Sequence, residues 1–276
     1  MTVKPPTPPP LPDELDRLLR RLRLPYVRRA APEVIANATA QRWEHAEVLR
    51  VLLAEEAAGR DQATIRMRRR ASGLPAGKTF DAWEADRSAI PANAQRALRT
   101  LEWIDRAELL CVCGPSGTGK SHFVEALGHL AIDKGKTVAW HTLETLAQLL
   151  RRHRADDSIN KAIGKLIHAD LVVIDDVGLL PVSADAAEAL FRVIDAAYEK
   201  RSIAISSNIH PSGFDELMPK SIATATVDRL LHHAHVLITE GQDSYRLAQA
   251  TAGKGVKPSN CQELWRRRDK PAWRRR

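Results

Sequence analysis

Apolar residues change their spacing along the chain, and this change separates a helical amino-terminal part from an alternating part. Leucines recur at helical spacing over 13–24, and a second apolar stripe over about 32–70 predicts one or two further helices. Pro25 interrupts the pattern between these segments. Residues 1–12 are rich in proline and have no periodic pattern, so we predict a disordered tail there. The helical segments predict an amino-terminal domain over 13–79. Its many arginines indicate contact with an acidic partner, and an oligomerisation element is the alternative.

From Phe80 onward, short apolar runs alternate with amphipathic segments, a pattern typical of a parallel sheet covered by helices. We therefore predict the α/β fold class for a second domain over 80–252. Its parallel five-stranded sheet is expected to be flanked by helices and preceded by the small all-helical domain. The predicted strands are 108–113, 137–141, 171–174, 203–206 and 235–238, and the predicted helices are 120–133, 143–154 and 184–200.

The net charge of +8 is distributed unevenly along the 276 residues. Residues 1–80 have a balance of +6 and residues 253–276 a balance of +7, whereas residues 81–252 are acidic, with a balance of −5. In the last segment, Trp265 and Trp273 stand among basic residues. Basic side chains neutralise phosphates and tryptophans stack on bases, so we favour nucleic-acid contact for the tail over 253–276, with partner docking as the alternative.

The apolar runs are too short for a membrane protein. None approaches the roughly 20 residues that a transmembrane helix needs. The proline-rich start has no apolar stretch behind it, so we expect no secretory signal and a cytoplasmic location.

Cysteines and histidines offer two possible metal sites. Cys111 and Cys113 alternate on a predicted strand without a second ligand cluster, so we expect buried thiols. His232, His233 and His235 also suggest a metal site. No matching carboxylate or cysteine signature accompanies them, and we do not predict one there.

The segment Gly-Pro-Ser-Gly-Thr-Gly-Lys-Ser over 114–121 matches the phosphate-loop pattern G-x-x-x-x-G-K-[ST] at every position. It lies between a predicted strand and a predicted helix, so its backbone N–H groups and the helix amino terminus would face an anion. We expect Lys120 to reach the β- and γ-phosphates of ATP and Ser121 to ligate Mg²⁺. The predicted nucleotide-binding residues are Gly114, Pro115, Ser116, Gly117, Thr118, Gly119, Lys120 and Ser121.

Polar residues at the ends of two later strands complete the predicted site. Asp175 follows the apolar run 171–174 and is expected to hold Mg²⁺ with Ser121. Asp176 is the candidate base for the attacking water, although its side chain is shorter than the usual glutamate. Asn208 ends the next strand and is expected to hold the γ-phosphate or the attacking water; turn formation is the alternative.

These three elements resemble an AAA+ ATPase. The chain is most similar to the IstB family, the ATPase partners of insertion-sequence transposases, and to the related DnaC helicase loaders. Beyond the phosphate loop, the resemblance is carried by Leu-Val-Val-Ile-Asp-Asp-Val-Gly-Leu-Leu at 171–180, Tyr-Glu-Lys-Arg-Ser-Ile-Ala-Ile-Ser-Ser-Asn at 198–208, and Thr-Val-Asp-Arg-Leu-Leu-His-His-Ala-His at 226–235.

The resemblance implies that Arg229 enters the nucleotide site of a neighbouring subunit; the alternative is a salt bridge with Asp228. It also implies that Arg246 approaches the nucleotide. DNA contacts would come from the core domain as well as from the basic flanks and would be non-specific backbone contacts. The predicted DNA-binding residues are Arg66, Arg68, Arg69, Arg70, Arg151, Arg152, Arg154, Lys161 and Lys165.

The implied function is an ATPase that regulates transposition. It would form a homo-oligomer on double-stranded DNA, present target DNA to a cognate transposase and be reset by hydrolysis. A DnaC-like helicase loader is the main alternative. A small-molecule kinase and a module that binds ATP but scarcely hydrolyses it also stay open.

Overall fold

The computed structural model describes residues 8–154, 158–178, 182–216 and 218–239. The chain forms two compact units, Met1–Ser72 and Gly73–Arg276. Arg246, the tail over 253–276 and most of the proline-rich start lie outside the described residues. In the part of the chain that is described, no helix has the length and apolar character to cross a membrane.

The described residues of the first unit form three helices, which confirms its predicted helical character. They are α1 (Asp13–Arg21), α2 (Pro25–Gln41) and α3 (His45–Ser72). Pro25 begins α2, seven residues before the start that the apolar stripe predicted, because a proline at the first helical position loses no helix hydrogen bond. The buried Glu56 carboxylate of α3 accepts hydrogen bonds from the N–H groups of Tyr26 and Val27 at 2.9 and 3.0 Å, which joins the two helices.

The second unit is built on a five-stranded sheet in which every strand pair is parallel, as predicted. The strand order is β2-β3-β4-β1-β5. The strands are β1 (Leu109–Cys113), β2 (Val138–Thr142), β3 (Leu171–Val177), β4 (Ser202–Ser207) and β5 (Ala234–Ile238). The helices are α4 (Ala92–Arg99), α5 (Glu102–Asp105), α6 (Lys120–Asp133), α7 (Leu143–Arg154), α8 (Ile159–Leu166), α9 (Ala184–Ala197) and α10 (Lys220–His232).

Sequence periodicity identified the strands and the helices α6, α7 and α9, but not α4, α5, α8 and α10. Helices α4, α5 and α8 have eight residues or fewer, too few for a clear periodic signal. Helix α10 contains threonine and valine residues that favour strands. Its helical form depends on burial of Ala223, Thr226 and Leu230 along one side.

The sheet is buried on both faces, as expected of parallel strands between helices. Residues of β1, β3 and β4 are buried almost without exception. Cys111 and Cys113 belong to one large apolar cluster that also contains residues of α7, α8, α9 and α10. Both cysteines are free and buried, which confirms the prediction of buried thiols. Their sulfur atoms lie 3.3 Å apart.

The edge strand β5 is joined to the residue before β1 by a polar contact. The Nε2 atom of His235 lies 2.7 Å from Oε2 of Glu108, which also forms an ion pair with Arg106. The hydrogen bond from Arg106, followed by the one from His235, lowers the pKa of Glu108 to about 2. The carboxylate therefore stays ionised at neutral pH and helps to hold this edge of the sheet.

Candidate nucleotide-binding site

The phosphate loop, Asp175 and Asn208 meet at the carboxyl edge of the sheet. The segment 114–121 follows β1 and leads into α6, whereas Asp175 lies in β3 and Asn208 follows β4. Because β4 pairs with both β1 and β3, the ends of these three strands are neighbours. Open α/β sheets bind ligands at this edge, where strand ends leave a crevice between connections.

Glycines let the phosphate loop adopt a conformation that other residues rarely adopt. Gly114, Gly117 and Gly119 have φ angles of 140°, 90° and 90°. Gly114 also needs the absence of a side chain, because a Cβ atom there would lie 2.2 Å from Oγ1 of Thr239. These angles allow the close backbone turns that an anion-binding loop needs.

Lys120 is buried at the start of α6, and its amine is held by two oxygens. Its Nζ atom donates to the carbonyl of Pro115 at 2.7 Å and to Oδ1 of Asn208 at 3.0 Å. The backbone N–H of Asn208 donates to the carbonyl of Val177 at 2.8 Å, which fixes the amide beside β3. Lys120 and Asn208 are therefore adjacent, and both can reach the same phosphate.

The positive charge of Lys120 also acts on the end of β1. The hydrogen bond from the Cys111 thiol lowers the pKa of Cys113, and Lys120 acts in the same direction, against the effect of burial. An amine in this position attracts any negative charge brought to the loop.

A hydroxyl and a carboxylate form the predicted magnesium site. The Ser121 hydroxyl donates to Oδ1 of Asp175 at 2.8 Å, and the hydroxyl of the buried Ser206 on β4 donates to the same oxygen. Mg²⁺ prefers oxygen ligands at about 2.1 Å in octahedral geometry, in which neighbouring ligands are about 3 Å apart. The oxygen atoms of Ser121 and Asp175 have the chemistry and spacing that fit this ion.

Asp176 differs from its neighbours in β3 in backbone conformation and in exposure. Its φ angle is 60°, and the pairing of β3 with β4 shifts between Ile174 and Val177. This irregularity leaves Asp176 exposed while Asp175 and Val177 are buried. An aspartate in the left-handed region is uncommon, and such strain is often found at functional sites. The backbone thus turns a second carboxylate out of the sheet, next to the predicted magnesium ligand Asp175.

Thr239 supports the phosphate loop from the end of β5, and sequence reasoning did not identify it. It is fully buried; its hydroxyl donates to the Cys113 carbonyl at 3.0 Å and lies 2.8 Å from the hydroxyl of Thr118. Thr118 in turn donates to the Pro115 carbonyl at 3.0 Å. A single threonine has no sequence signal for this role, because the contact spans 121 residues.

A pocket beside the loop was also absent from the sequence interpretation. The Trp83 ring makes an edge-to-face contact with His122, with ring centroids 5.0 Å apart. It also lies over Gly119, where a Cβ atom would be 3.2 Å from the ring. Buried Gln95 accepts a hydrogen bond from Nε1 of Trp83 at 2.9 Å and so fixes the ring. The lining of the pocket comprises Ala82, Trp83, Glu84, Arg87, Ser88, Thr118, Gly119 and His122.

Comparison with known proteins identifies the family. Residues 17–252 match the family described as IstB-like ATP binding protein. The chain belongs to this family. It is 31% identical over 238 residues to the insertion sequence IS21 putative ATP-binding protein of Pseudomonas aeruginosa, covering 86% of this chain and 89% of that protein. It is also 31% identical over 241 residues to the insertion sequence IS5376 putative ATP-binding protein of Geobacillus stearothermophilus, covering 86% and 95%.

The fold is that of AAA+ P-loop NTPases. The replication initiator DnaA, in a structure bound to AMPPCP and single-stranded DNA, superimposes with a TM-score of 0.50 at 20% identity. The match covers 70% of this chain and 60% of the DnaA chain. At this identity the likeness shows the fold alone. The predicted resemblance to IstB proteins and the predicted fold class are both confirmed.

Arg229 of this IstB-like protein contacts α9 rather than Asp228, so the alternative salt bridge is wrong. Its Nε atom lies 2.9 Å from Oδ1 of Asp195, and its guanidinium lies over the Phe191 ring at 5.5 Å. Adjacent residues on a helix point in different directions, which keeps Asp228 away. Among the described residues, the contacts of Arg229 lie on α9 and α10, and none joins it to Lys120.

The predicted DNA-binding residues differ in exposure and in whether they form ion pairs with acidic side chains. Arg151 forms ion pairs with Glu144 and Asp185, and Arg154 forms ion pairs with Asp185 and Glu188. Three further residues of the second unit form no ion pair with any described residue, and all are exposed: Arg152, Lys161 and Lys165. In the first unit, Arg66, Arg69 and Arg70 are exposed near the end of α3, and Arg68 is half-buried.

We predict that Thr239→Val weakens nucleotide binding about five- to tenfold. Loss of the hydroxyl removes a hydrogen bond to Cys113 and a contact to Thr118, worth about 1 kcal/mol. Calorimetric titration with Mg-ATP measures the effect. Thr224→Val is the matched control, because the Thr224 hydroxyl bonds only within α10, to the Lys220 carbonyl at 2.9 Å. Equal affinity in the two variants would contradict the proposed support of the loop.

Proposed function

We propose that this IstB-like protein binds Mg-ATP at the carboxyl edge of its sheet and hydrolyses it. The observation that supports this best is the convergence of Lys120, Asn208, Ser121 and Asp175 from three neighbouring strand ends. Lys120 and Asn208 would hold the γ-phosphate, while Ser121 and Asp175 would hold Mg²⁺, which offsets charge on the phosphates. Asp176 would orient the attacking water and accept its proton.

Hydrolysis is proposed to need a neighbouring subunit. Arg229 would supply positive charge to the γ-phosphate of the next subunit. Among the described residues its own contacts lie on α9 and α10, and none joins it to the Lys120 of its own chain. Arg246, outside the described residues, is proposed to approach the nucleotide from the carboxyl-terminal side. The nucleotide then acts as a switch for homo-oligomer assembly.

The cellular role that we propose is regulation of transposition. The relatives from Pseudomonas aeruginosa and Geobacillus stearothermophilus are both described as insertion-sequence ATP-binding proteins. By analogy, this protein would assemble on double-stranded DNA, present target DNA to a cognate transposase and be reset by hydrolysis. The basic segments at both ends of the sequence are consistent with such a DNA-bound state.

Within the second unit, α7 and α8 are the proposed DNA-contacting elements. Ile159, Ile163 and Leu166 are buried on one side of α8, while Lys161 and Lys165 are exposed one turn apart on another. Like charges at this spacing repel each other, so an anionic partner stabilises them. Arg152 adds a third exposed charge, and Arg151 and Arg154 would have to exchange their acidic partners for phosphates.

We predict that Lys161→Ala/Lys165→Ala weakens DNA binding and lowers the salt dependence. The slope of log K against log salt should fall by about 2, one for each phosphate contact removed. Fluorescence anisotropy with labelled duplex DNA at several salt concentrations measures it. Lys134→Ala/Lys200→Ala removes the same charge from exposed positions before β2 and β4, at the amino edge of the sheet, and should change little. If both double variants have the same slope, α8 does not contact DNA.

Electron microscopy of the protein with duplex DNA and a slowly hydrolysed ATP analogue tests the proposed function. A ring or filament around DNA that needs the analogue supports it, whereas free monomers with metabolite turnover would support a small-molecule kinase. Partner assays then decide the role. Stimulation of a transposase encoded beside this protein supports transposition, and capture of a replicative helicase would support the DnaC-like alternative.

A further inference from the structure

A cluster of three possible metal ligands lies where α9 and α10 end. His232 is the last residue of α10, His233 follows it, and Glu199 lies between α9 and β4. One ligand atom from each side chain lies within 4.8 Å of the other two, and all three residues are exposed. The cluster is distinct from the proposed Mg²⁺ site at Ser121 and Asp175.

The tertiary structure supplies the carboxylate that the local sequence lacked. The Nε2 atom of His233 lies 3.9 Å from Oε1 of Glu199, and the rings of His232 and His233 are 4.0 Å apart between centroids. Glu199 precedes His232 by 33 residues, so no local spacing signature connects them. His235, the third histidine of this stretch, is occupied instead by Glu108 at 2.7 Å.

The surroundings also restrict one of the rings. Nδ1 of His232 lies 2.7 Å from the hydroxyl of Tyr198, and the two rings are 5.9 Å apart between centroids. A hydrogen bond from one imidazole nitrogen is the usual way in which a protein orients a metal-binding histidine. Two imidazoles and a carboxylate form a ligand set that zinc and neighbouring transition metals prefer, whereas Mg²⁺ and Ca²⁺ prefer oxygen alone.

We propose that Glu199, His232 and His233 form a binding site for a divalent transition-metal ion of the zinc class. Three protein ligands leave one tetrahedral position for water. The ligand atoms lie within 4.8 Å of one another and would move to coordination distance by side-chain rotation, for which the exposure of all three groups leaves room. The site does not depend on the proposed ATPase function.

A bound ion would fix the carboxyl-terminal end of α10 to the turn before β4. Arg229 lies three residues before His232, about one helical turn away, and already contacts Asp195 on α9. The ion would therefore restrain the helix segment that carries Arg229. If Arg229 acts on a neighbouring subunit, as proposed above, this restraint offers a route by which metal binding could influence assembly.

Titration of the full-length protein with Co²⁺ and Zn²⁺ tests the site. The protein is purified without a polyhistidine tag, stripped with a chelator, and studied without nucleotide in excess Mg²⁺. We expect one ion per chain, with visible Co²⁺ absorption that indicates nitrogen and oxygen ligands. Glu199→Gln, His232→Ala and His233→Ala should each weaken binding at least about tenfold.

His235→Ala is the matched control, since it removes a histidine of the same stretch that is not in the cluster, and it should leave affinity unchanged. Zn²⁺ should also raise the melting temperature of the wild type and of His235→Ala, but not of His233→Ala. Thiolate charge-transfer bands would place the ion on cysteines instead. Such bands, the absence of saturable binding, or equal affinity in all variants would each overturn the proposal.

Discussion

Lys120→Ala should abolish nucleotide-dependent assembly on DNA and weaken Mg-ATP binding by about 100-fold or more. The amine of Lys120 lies between Pro115 and Asn208, where it can donate to the β- and γ-phosphates. Hydrogen bonds from a charged group contribute about 1.5–3 kcal/mol each, so two of them account for this loss. Calorimetric titration measures the affinity, and electron microscopy with duplex DNA and an ATP analogue measures assembly.

Two further variants test whether the loss of Mg-ATP binding is specific to the Lys120 amine. Lys134→Ala removes an exposed lysine beyond the far end of the same helix, α6, and should bind Mg-ATP like the wild type. Lys120→Arg retains the positive charge but replaces the compact ammonium with a planar guanidinium, so it should bind Mg-ATP more tightly than Lys120→Ala and more weakly than the wild type. Circular dichroism establishes that each variant is folded. If folded Lys120→Ala assembles on DNA as the wild type does, the nucleotide does not control assembly.

Arg229→Ala should lower the ATPase rate by about 10³-fold or more while leaving Mg-ATP affinity nearly unchanged. An arginine supplied by a neighbouring subunit stabilises charge on the γ-phosphate during transfer and contributes a factor of this size. In its own chain, the Arg229 side chain is about one-third exposed and contacts Asp195 and Phe191. Phosphate release with duplex DNA present measures the rate, and calorimetry measures the affinity.

The ion pair with Asp195 offers the control for a merely structural role. Asp195→Asn breaks the same pair but leaves the guanidinium in place, so its rate should stay within a few-fold of the wild type. Mixing Arg229→Ala with Lys120→Ala should restore part of the activity, because some shared sites then contain an intact loop and an intact arginine. An equal loss in Asp195→Asn and Arg229→Ala, with no recovery on mixing, would assign Arg229 to stability alone.

Sequence reasoning identified the phosphate loop because its function depends on adjacent residues. Glycines at fixed spacing, a lysine and a serine form the anion site through backbone conformation and one helix terminus. Asp175 and Asn208 were predicted because each comes at the end of an apolar run typical of a strand, and a phosphate-loop ATPase needs a carboxylate near Mg²⁺. The structure brings Asn208 to Lys120 and Asp175 to Ser121 by direct hydrogen bonds.

Three supporting residues were not identified because their contacts cross the fold. Ser206 reaches Asp175 from the neighbouring strand, Thr239 reaches Thr118 from β5, and Trp83 covers Gly119. The sequence around each of these residues contains no pattern that predicts the contact. Each contact depends on which strands and segments become neighbours.

The phosphate loop, the alternation of strands and helices and the uneven charge were determined by the sequence itself, since each is a local pattern of side chains. The partners of those side chains were decided only by the tertiary structure. The strand order β2-β3-β4-β1-β5 places β4 between β1 and β3 and β5 beside β1. Packing of α9 against α10 gives Arg229 its partner Asp195 and brings Glu199 to His232 and His233. The physical reason is that burial of the whole apolar surface, rather than any local pattern, decides which distant segments meet.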